Sequence, residues 1–318
     1  MTEPSTMIVD HIVHLTSPGA LQETTKAWRD LGFIVIPGGT HADGLTENAL
    51  VAFEDGAYIE LISFTHPLSY YPADTPIYDA RKNHSWARKQ PGFIDFAFLG
   101  NAGYPSIAGA INARAEKEKS GVKYAGEVPG GRTRTDGKVL QWLITAPIQD
   151  QDGADVRGRL PFFCGDLTSR DLRVPHDPSE TKHENTSLGI AHVHLLASSV
   201  DISRLAKQLT TVVGSDPTTH SISPSSFSLP PVARDSRPVD DVNNKAIRWE
   251  LDSVLSSDSK TAPTLELSVP RNKEEETWLD ERGPGIHLVK VRVKDKSQVS
   301  AETGDSSAAR EVELVCRL

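Results

Sequence analysis

The sequence predicts an α+β protein built from repeated βαβββ modules. Between residues 8 and 63, apolar and β-branched segments flank one helical segment, in the order strand, helix and three strands. The same order recurs from residue 92, and a Pro-Gly-Gly tripeptide follows the second predicted strand of both copies. A third copy starts at residue 189. A tripeptide shared at the same place in the same order of elements indicates an internal repeat.

The first module shows the pattern most clearly. Its helix is predicted over 21–31, because Leu21, Ala27 and Trp28 share one face and Gly32 is a natural stop. Its strands are predicted at 8–15, 33–36, 49–53 and 57–64.

The second module follows a segment, 65–90, that lacks clear periodicity and is predicted to be a linker on the surface. Its helix is predicted over 106–120, and Gly121 stops it. Its strands are predicted at 92–99, 122–128, 139–146 and 160–164.

The later half reads as a third module and an incomplete fourth one. The third has a predicted helix at 201–213, and residues 215–244, rich in Ser, Pro and Asp, are predicted to be a long loop or insertion. Lys294–Arg310 is predicted to be a loop, so no helix follows the first strand of the fourth module. The strands of this half are predicted at 189–197, 246–251, 264–269, 285–293 and 311–318.

Composition excludes several classes of partner. The net charge of −9 disfavours nucleic acid, and Cys164 and Cys316 make neither a disulfide framework nor a zinc motif. The N-terminus lacks the pattern of a secretory signal, and no run of about 18 apolar residues occurs. We therefore expect a soluble, cytoplasmic protein without a membrane partner.

Known catalytic motifs narrow the function further. The chain has no GxSxG, no P-loop, no GxGxxG after a strand and no HExxH. These absences weigh against a serine hydrolase, an NTPase, a dinucleotide dehydrogenase and a zincin. No nucleotide cofactor is expected.

Glu60 and His11 are the leading candidate site residues. Glu60 interrupts an apolar predicted strand, where a carboxylate gives up burial energy unless it is paired or ligated. A histidine and a carboxylate on neighbouring strands suit a divalent metal with open positions for substrate. A hydrogen-bonded strand histidine and a glutamate on an exposed strand face are the alternatives. His14, three residues from His11, is predicted to face the other side of its strand.

A second His/Glu pair occurs in the third module. There His192 takes the place of His11 and Glu266 takes the place of Glu60, so they are additional candidate metal ligands. His192 and His194 lie two residues apart and therefore face the same side of a strand. An ordinary strand histidine is the simpler explanation for both.

Further candidates are predicted to bind substrate. His41, Thr46 and Asn48 precede the third strand of module one, where they either cap the turn or rim a cavity. Asp95 aligns with His11 in module two, and a buried aspartate there needs a partner. The fourth strand of module two offers no glutamate that matches Glu60.

Four segments of the chain form a recognisable pattern: DHIVHL at 10–15, PGGTHADGLTEN at 37–48, ALVAFEDGAYIELISF at 49–64 and GRLPFFCGD at 158–166. This pattern resembles the vicinal oxygen chelate superfamily, and within it the glyoxalase-like domains. The resemblance implies that paired βαβββ modules form an incomplete mixed β-barrel with helices outside. It also implies a divalent ion such as Zn, Ni, Mn or Fe, with His11 and Glu60 as ligands.

The same resemblance suggests a division of the chain. Residues 1–170 would form a glyoxalase-like domain from two modules. Residues 171–318 would add the third module and the incomplete fourth, packed on or paired with the first domain. The sequence does not fix the oligomeric state, and a homodimer is one possibility.

The leading functional hypothesis is a metal-assisted isomerase or lyase acting on a small oxygenated or natural-product substrate. Glu60 and His11 would be its catalytic residues, with Glu60 doubling as the base. One alternative is a metal-free pocket that binds a ligand, confers resistance or templates a rearrangement as a pericyclase does. A ring-cleaving dioxygenase with ligands from the later modules ranks lower. An interaction protein that uses residues 215–244 is the remaining alternative.

Overall fold

The computed structural model describes residues 3–134, 136–148, 156–221, 245–255, 261–294 and 309–315. Two β-sheets organise these residues, and the first sheet contains modules one and two. Its strands are β1 (Ile8–Thr16), β2 (Ile36–Thr40), β3 (Thr46–Ala52), β4 (Tyr58–Phe64), β5 (Gly92–Leu99), β6 (Val128–Thr133), β7 (Val139–Thr145) and β8 (Phe162–Asp166).

The first sheet is mixed and nearly closed. Its order is β2-β3-β4-β1-β5-β8-β7-β6, with β1 parallel to β4, β5 parallel to β8, and β1 antiparallel to β5. The two edge strands approach each other, since a backbone bridge joins His41 to Arg132 and the amide of Ala42 donates to the carbonyl of Gly131 at 3.1 Å. The predicted barrel of two βαβββ modules is thereby confirmed.

The helices of modules two and three each have one end fixed by a capping residue. The hydroxyl of Ser106 accepts the amide of Gly109 at 2.9 Å and caps the helix of module two, whereas Gly214 ends the helix of module three in the left-handed region. None of the helices in the described ranges combines the length and apolar character needed to cross a bilayer. The helices are α1 (Leu21–Asp30), α2 (Pro76–Lys82), α3 (Ile107–Glu118), α4 (Arg170–Arg173), α5 (Pro178–Thr181), α6 (Ile202–Val213) and α7 (Lys273–Arg282).

The second sheet repeats the central arrangement of the first. Its strands are β9 (Ser187–Leu196), β10 (Thr218–Ser221), β11 (Lys245–Glu250), β13 (Thr264–Ser268), β14 (Gly285–Lys294) and β15 (Ala309–Val315), while the short β12 (Asp252–Ser253) pairs with β1. The order is β10-β11-β13-β9-β14-β15. Here β9 is parallel to β13 and antiparallel to β14, as β1 is to β4 and β5.

One apolar core joins the two sheets. It includes Ile12 and Phe98 from the barrel, and Val193, Leu209 and Trp249 from the second half. Helix α3 contacts α6, and β5 contacts β14. The second half therefore packs on the helix-bearing outside of the barrel and leaves the inside of the barrel open.

The two Pro-Gly-Gly segments lie inside strands, which corrects the predicted boundaries 33–36 and 122–128. Strands β2 and β6 contain these segments. A β carbon at Gly38 would collide with the side-chain amide of Asn48, and one at Gly130 would collide with the ring of Trp142. The glycines are therefore required for close strand approach rather than for a turn.

The segment predicted to be a linker on the surface, 65–90, contains a helix, α2, that the sequence did not indicate. This helix starts after Thr75, whose hydroxyl accepts the amide of Tyr78 at 3.3 Å. Strand β10 occupies the start of the predicted loop 215–244, and 222–244 lie outside the described residues.

The last predicted elements lie partly beyond the described ranges. Strand β15 starts at Ala309 rather than at residue 311, and 316–318 are not described. Of the predicted loop Lys294–Arg310, only the ends are described, and both lie in strands.

Candidate functional site

The inside of the barrel contains a cavity of about 290 Å³. Both modules line it, through residues of β1, β3 and β4 and of β6, β7 and β8. The polar lining side chains are His11, His41, Asp43, Thr46, Asn48, Glu60, His84, Arg132 and Arg173. The apolar and aromatic ones include Leu50, Tyr58, Trp86, Trp142, Ile144, Phe162 and Cys164. Buried polar groups that converge in an apolar pocket are typical of a small-molecule site.

Glu60 projects from β4 into this cavity and is 6% exposed. The side-chain amide of Asn48 donates to Oε1 of Glu60 at 2.6 Å, and Nε2 of His41 lies 3.8 Å from the same oxygen. Oε2 lies 3.9 Å from Nε2 of His11, which is beyond hydrogen-bonding distance. Within the described ranges Oε2 makes no hydrogen bond, so this oxygen is available to a bound molecule.

His11 is oriented by the buried carboxylate beside it. Its Nδ1 lies 2.6 Å from Oδ2 of Asp10. Burial raises the pKa of Asp10, but the guanidinium groups of Arg173 and Arg170 outweigh burial and hold that pKa well below its ordinary value. Asp10 is therefore ionised and accepts the Nδ1 proton. In the neutral ring, which stacks on Tyr58 at 4.5 Å, Nε2 is then an acceptor facing the cavity.

Helix α4 fixes Asp10 and Tyr58 through the side chain of Arg173. Arg173 is 4% exposed and donates to Oδ2 of Asp10 at 2.9 Å and to the hydroxyl of Tyr58 at 2.8 Å. Its Nε also donates to Oδ1 of Asp166, at the end of β8, at 2.6 Å. Burial raises the pKa of Tyr58 well above its ordinary value, so the phenol stays neutral. These bonds tie the end of module two to the first and fourth strands of module one.

The three polar residues before and within β3 all line the cavity. Nδ1 of His41 lies 2.7 Å from the hydroxyl of Thr46, and the side-chain oxygen of Asn48 accepts the amide of Gly39 at 3.2 Å. Burial lowers the pKa of His41, which keeps its ring neutral near pH 7. The structure thus brings His41, Thr46 and Asn48 together with Glu60.

Asp95 lies outside the cavity. It is fully buried, accepts the indole N–H of Trp86 at 2.9 Å and pairs with Arg157 at 2.6 Å. Its role is therefore to anchor the segment that contains Arg157 against β5, and these contacts provide the partner that a buried aspartate needs.

The strand register corrects the alignment of Asp95 with His11. His11 pairs with Tyr58 across β1 and β4, and Ala97 pairs with Phe162 across β5 and β8. Phe162 and Cys164 line the cavity as Tyr58 and Glu60 do. Ala97 therefore occupies the place of His11 in module two, and Cys164 occupies that of Glu60. Between His11 and Val13 the pairing of β1 with β5 is regular, and it sets His11 opposite Ala97.

His192 and Glu266 lie on the second sheet, apart from the pair in the barrel. Nδ1 of His192 lies 2.7 Å from the hydroxyl of Thr264. Glu266 forms a salt bridge with Arg248, with Nη2 and Oε2 2.7 Å apart. The structure does not bring His192 and Glu266 together with His11.

Several lining residues give no signal in the sequence. Arg132 comes directly after the second Pro-Gly-Gly segment, and the repeat of that segment is the one available clue to its position. Arg173 lies on a four-residue helix. Arginines on short, polar segments look like ordinary surface residues until the fold buries them.

The donor groups do not fit the divalent metal that the superfamily resemblance implies. In module two the positions matching His11 and Glu60 are Ala97 and Cys164, and burial raises the pKa of the Cys164 thiol, which opposes the thiolate a metal prefers. Within the described parts of the chain, no three or more His, Cys, Asp or Glu side chains form a metal-holding group. The guanidinium of Arg132 also lines the cavity and opposes a second cation there.

A protein-family model matches this chain over most of its length. The model of the family described as a glyoxalase-like domain matches residues 9–213, from β1 to the end of α6. This range contains the whole barrel and the first strand and helix of module three. No curated protein sequence matches the chain closely enough to count as a relative.

Two solved structures are similar to this chain at low sequence identity. A hypothetical protein from Staphylococcus aureus superposes with a TM-score of 0.51 at 14% identity, covering 83% of this chain and 87% of that one. A variant of 4-hydroxymandelate synthase from Streptomyces coelicolor has a TM-score of 0.49 at 11% identity and covers 88% of this chain and 69% of that one. At such identities the likeness to the first of these structures shows the fold alone.

Proposed function

The chain belongs to the glyoxalase-like domain family, and from this premise we propose that it is an enzyme that moves a proton on a small oxygenated substrate, as an isomerase or a lyase. The observation that carries the proposal is the carboxylate of Glu60. One of its oxygens is fixed by Asn48, and the other is open to the cavity. A positioned carboxylate with a free oxygen in a water-poor pocket is suited to act as a general base.

The reaction step follows from this geometry. Oε2 of Glu60 takes a proton from a carbon next to a carbonyl group, and the C–H electron pair becomes the carbon–carbon double bond of an enolate. Return of the proton to another atom completes an isomerisation. Loss of a leaving group from the neighbouring carbon completes an elimination. Neither outcome requires an oxidant, a reductant or a second substrate.

His11 and the cavity charge complete the arrangement. Nε2 of His11 lies 3.9 Å from Oε2 of Glu60, so both groups reach the same region of a bound substrate. His11 can therefore pass a proton on the side of the substrate next to Glu60. The guanidinium of Arg132, which forms no salt bridge within the described ranges, favours negative charge on the enolate oxygen.

Hydrogen exchange in D₂O tests the proposal on a broad set of candidate substrates. The purified protein is incubated with a panel of small carbonyl compounds that carry a hydrogen next to the carbonyl, and loss of that C–H signal is followed by proton NMR. We expect at least one compound to exchange, and Glu60→Gln to slow the exchange about 10²–10⁴-fold.

A matched control variant lies in the other half of the chain. Glu266→Gln makes the same substitution on the corresponding strand of the second sheet and is expected to leave the exchange rate unchanged. Exchange that survives in Glu60→Gln, or a panel in which no compound exchanges, contradicts the proposal.

A metal-free pocket that only binds or templates a ligand is the second candidate function. The apolar wall of module two favours it, since Phe162, Cys164 and Trp142 line that side. In this case His11→Ala and Glu60→Ala would keep ligand affinity and any rearrangement activity. The shape of the pocket, and not proton transfer, would then hold the ligand in its reactive conformation. The partner in both cases is a small molecule.

A further inference from the structure

Arg132 is a buried cation that forms no salt bridge among the described residues, and the carboxylate of Glu60 attracts it only from beyond salt-bridge distance. It is 5% exposed and lines the same cavity as Glu60. Its Nη1 is buried and makes no hydrogen bond, and no described carboxylate forms a salt bridge with its guanidinium. Burial lowers the pKa of Arg132, which reflects the cost of holding its charge out of water.

Two other arginines of the barrel pair with carboxylates. Arg173, which is buried, contacts Asp10 and Asp166, and Arg157, which is partly buried, contacts Asp95. Arg81 on α2 is buried without a salt bridge to any described residue, but its guanidinium lies over the ring of Phe64 and outside the cavity. A buried charge without a partner costs several kcal/mol, so a fold tolerates one chiefly where a ligand supplies the opposite charge. Unlike Arg173 and Arg157, Arg132 forms no salt bridge in the part of the chain that the structure describes, and it lines the cavity.

The backbone fixes the position of Arg132. It lies on β6, pairs with Leu140 of β7, and its backbone bridges to His41 where the edges of the barrel meet. The guanidinium is therefore attached to a rigid point of the wall. A rigid fork of N–H donors can form two parallel hydrogen bonds to a carboxylate.

We propose that Arg132 binds a carboxylate group of the substrate, so that the cavity accepts small unsaturated or oxo carboxylic acids. This inference rests on the proposed function and adds the class of its substrate. The carboxylate of the ligand neutralises Arg132, the apolar part of the ligand lies against Trp142 and Phe162, and its reacting carbon faces Glu60. The cavity of about 290 Å³ limits the ligand to a small molecule.

Thermal stability without ligand gives the first test. Arg132→Met removes a buried charge that forms no salt bridge with the residues described, so we expect the melting temperature to rise by about 2–5 °C. Arg173→Met is the matched control, because it removes a buried arginine that contacts Asp10 and Asp166, and a fall is expected. A fall or a failure to fold in Arg132→Met would show a structural role for this arginine and would overturn the proposal.

Binding of matched probes gives the second test. Benzoate and benzamide have nearly the same shape, but only benzoate is an anion. We expect benzoate to bind the wild-type protein at least about tenfold more tightly than benzamide, as measured by calorimetry, and Arg132→Met to abolish this preference. Equal affinity for the two probes, no binding of benzoate, or tighter binding of inorganic phosphate than of benzoate overturns the carboxylate assignment.

Glu60→Gln separates this inference from the proposed function. The variant is expected to lose hydrogen exchange while it still binds benzoate through Arg132. If benzoate binding depends on Arg132 but no compound exchanges, the proton-transfer function fails and the anion site stands. If exchange depends on Glu60 while Arg132→Met keeps the preference for benzoate, the anion site alone fails.

Discussion

Modules one and three place a glutamate at the same point of the same strand pairing. Glu60 pairs with Val13, which lies two residues after His11. Glu266 pairs with His194, which lies two residues after His192. Both glutamates are buried, at 6% and 5% exposed. Their surroundings differ, because Glu60 faces a cavity and Glu266 forms a salt bridge with Arg248.

The difference comes from a few neighbouring positions. Opposite the glutamate, module one has Leu50 where module three has Arg248. Before the histidine, module one has Asp10 where module three has Ala191. The strand framework thus delivers a buried glutamate in both modules, whereas the side chain opposite decides whether that carboxylate is available for chemistry.

The largest expected effect comes from moving the arginine between modules. Leu50→Arg places a guanidinium opposite Glu60 and fills part of the cavity, so we expect hydrogen exchange to fall about 10²–10³-fold. Leu50→Met, which fills a similar volume without a charge, is expected to lose far less. Proton NMR in D₂O measures both rates, and similar losses in the two variants would show that charge is not the cause.

The reverse substitution, Arg248→Leu, gives module three the residue of module one. It leaves Glu266 without its partner and is expected to lower the free energy of unfolding by roughly 1–3 kcal/mol, since Arg248 is partly exposed. Hydrogen exchange should not change, because Arg248 lies on the second sheet. Urea denaturation measures the loss, and a fall in the exchange rate would mean that the second sheet takes part in the reaction.

A smaller effect concerns His14, whose counterpart in module three is Leu195. His14 packs between Trp28 and Phe93 on the outer face of β1, and burial lowers its pKa to about 4. Between about pH 4 and 6.5 the unfolded chain therefore binds a proton that the folded chain does not, so stability falls as the pH falls through this range.

Replacing this histidine by the module-three residue tests the sign of the effect. From pH 7 to pH 4, the free energy of unfolding of the wild type should fall by about 3 kcal/mol more than that of His14→Leu. Urea denaturation at the two pH values measures the difference. Parallel pH dependence in the two proteins would contradict the burial of a neutral histidine.

The smallest expected effect is that of metal removal. Because Ala97 and Cys164 replace the expected donors of module two, we expect the purified protein to hold less than about 0.1 equivalent of divalent metal by mass spectrometry. Treatment with a chelator should leave hydrogen exchange unchanged. A stoichiometric metal lost together with activity would mean that His11 and Glu60 form a metal site despite the missing donors.

Most strands and the module helices could be predicted from the sequence, because hydrophobic periodicity and turn residues are local signals. The predicted strand 92–99 coincides with β5, and the helices of all three modules match their predicted segments within a few residues. Helix α7 was missed, since its residues are almost all polar and Glu275 is its one buried member. A helix of this kind lacks the apolar stripe that periodicity detects.

The candidate site was predictable only in part. His11 and Glu60 could be paired, because a repeat unit places its first and fourth strands side by side. The offset between Asp95 and Ala97 depends on the strand register, which sequence spacing does not reveal. The charge of Arg132 is meaningful only because the fold buries it, and burial is a property of tertiary packing.

The apolar core that the two sheets share links the stability of the two halves of the chain. Separating the barrel from the second half would divide this core and expose its apolar side chains to water, so we expect the two halves to unfold together. Module three then supports the barrel through the surface that it covers, even though its glutamate is neutralised by Arg248. A repeated module can therefore be needed for its packing rather than for its polar residues.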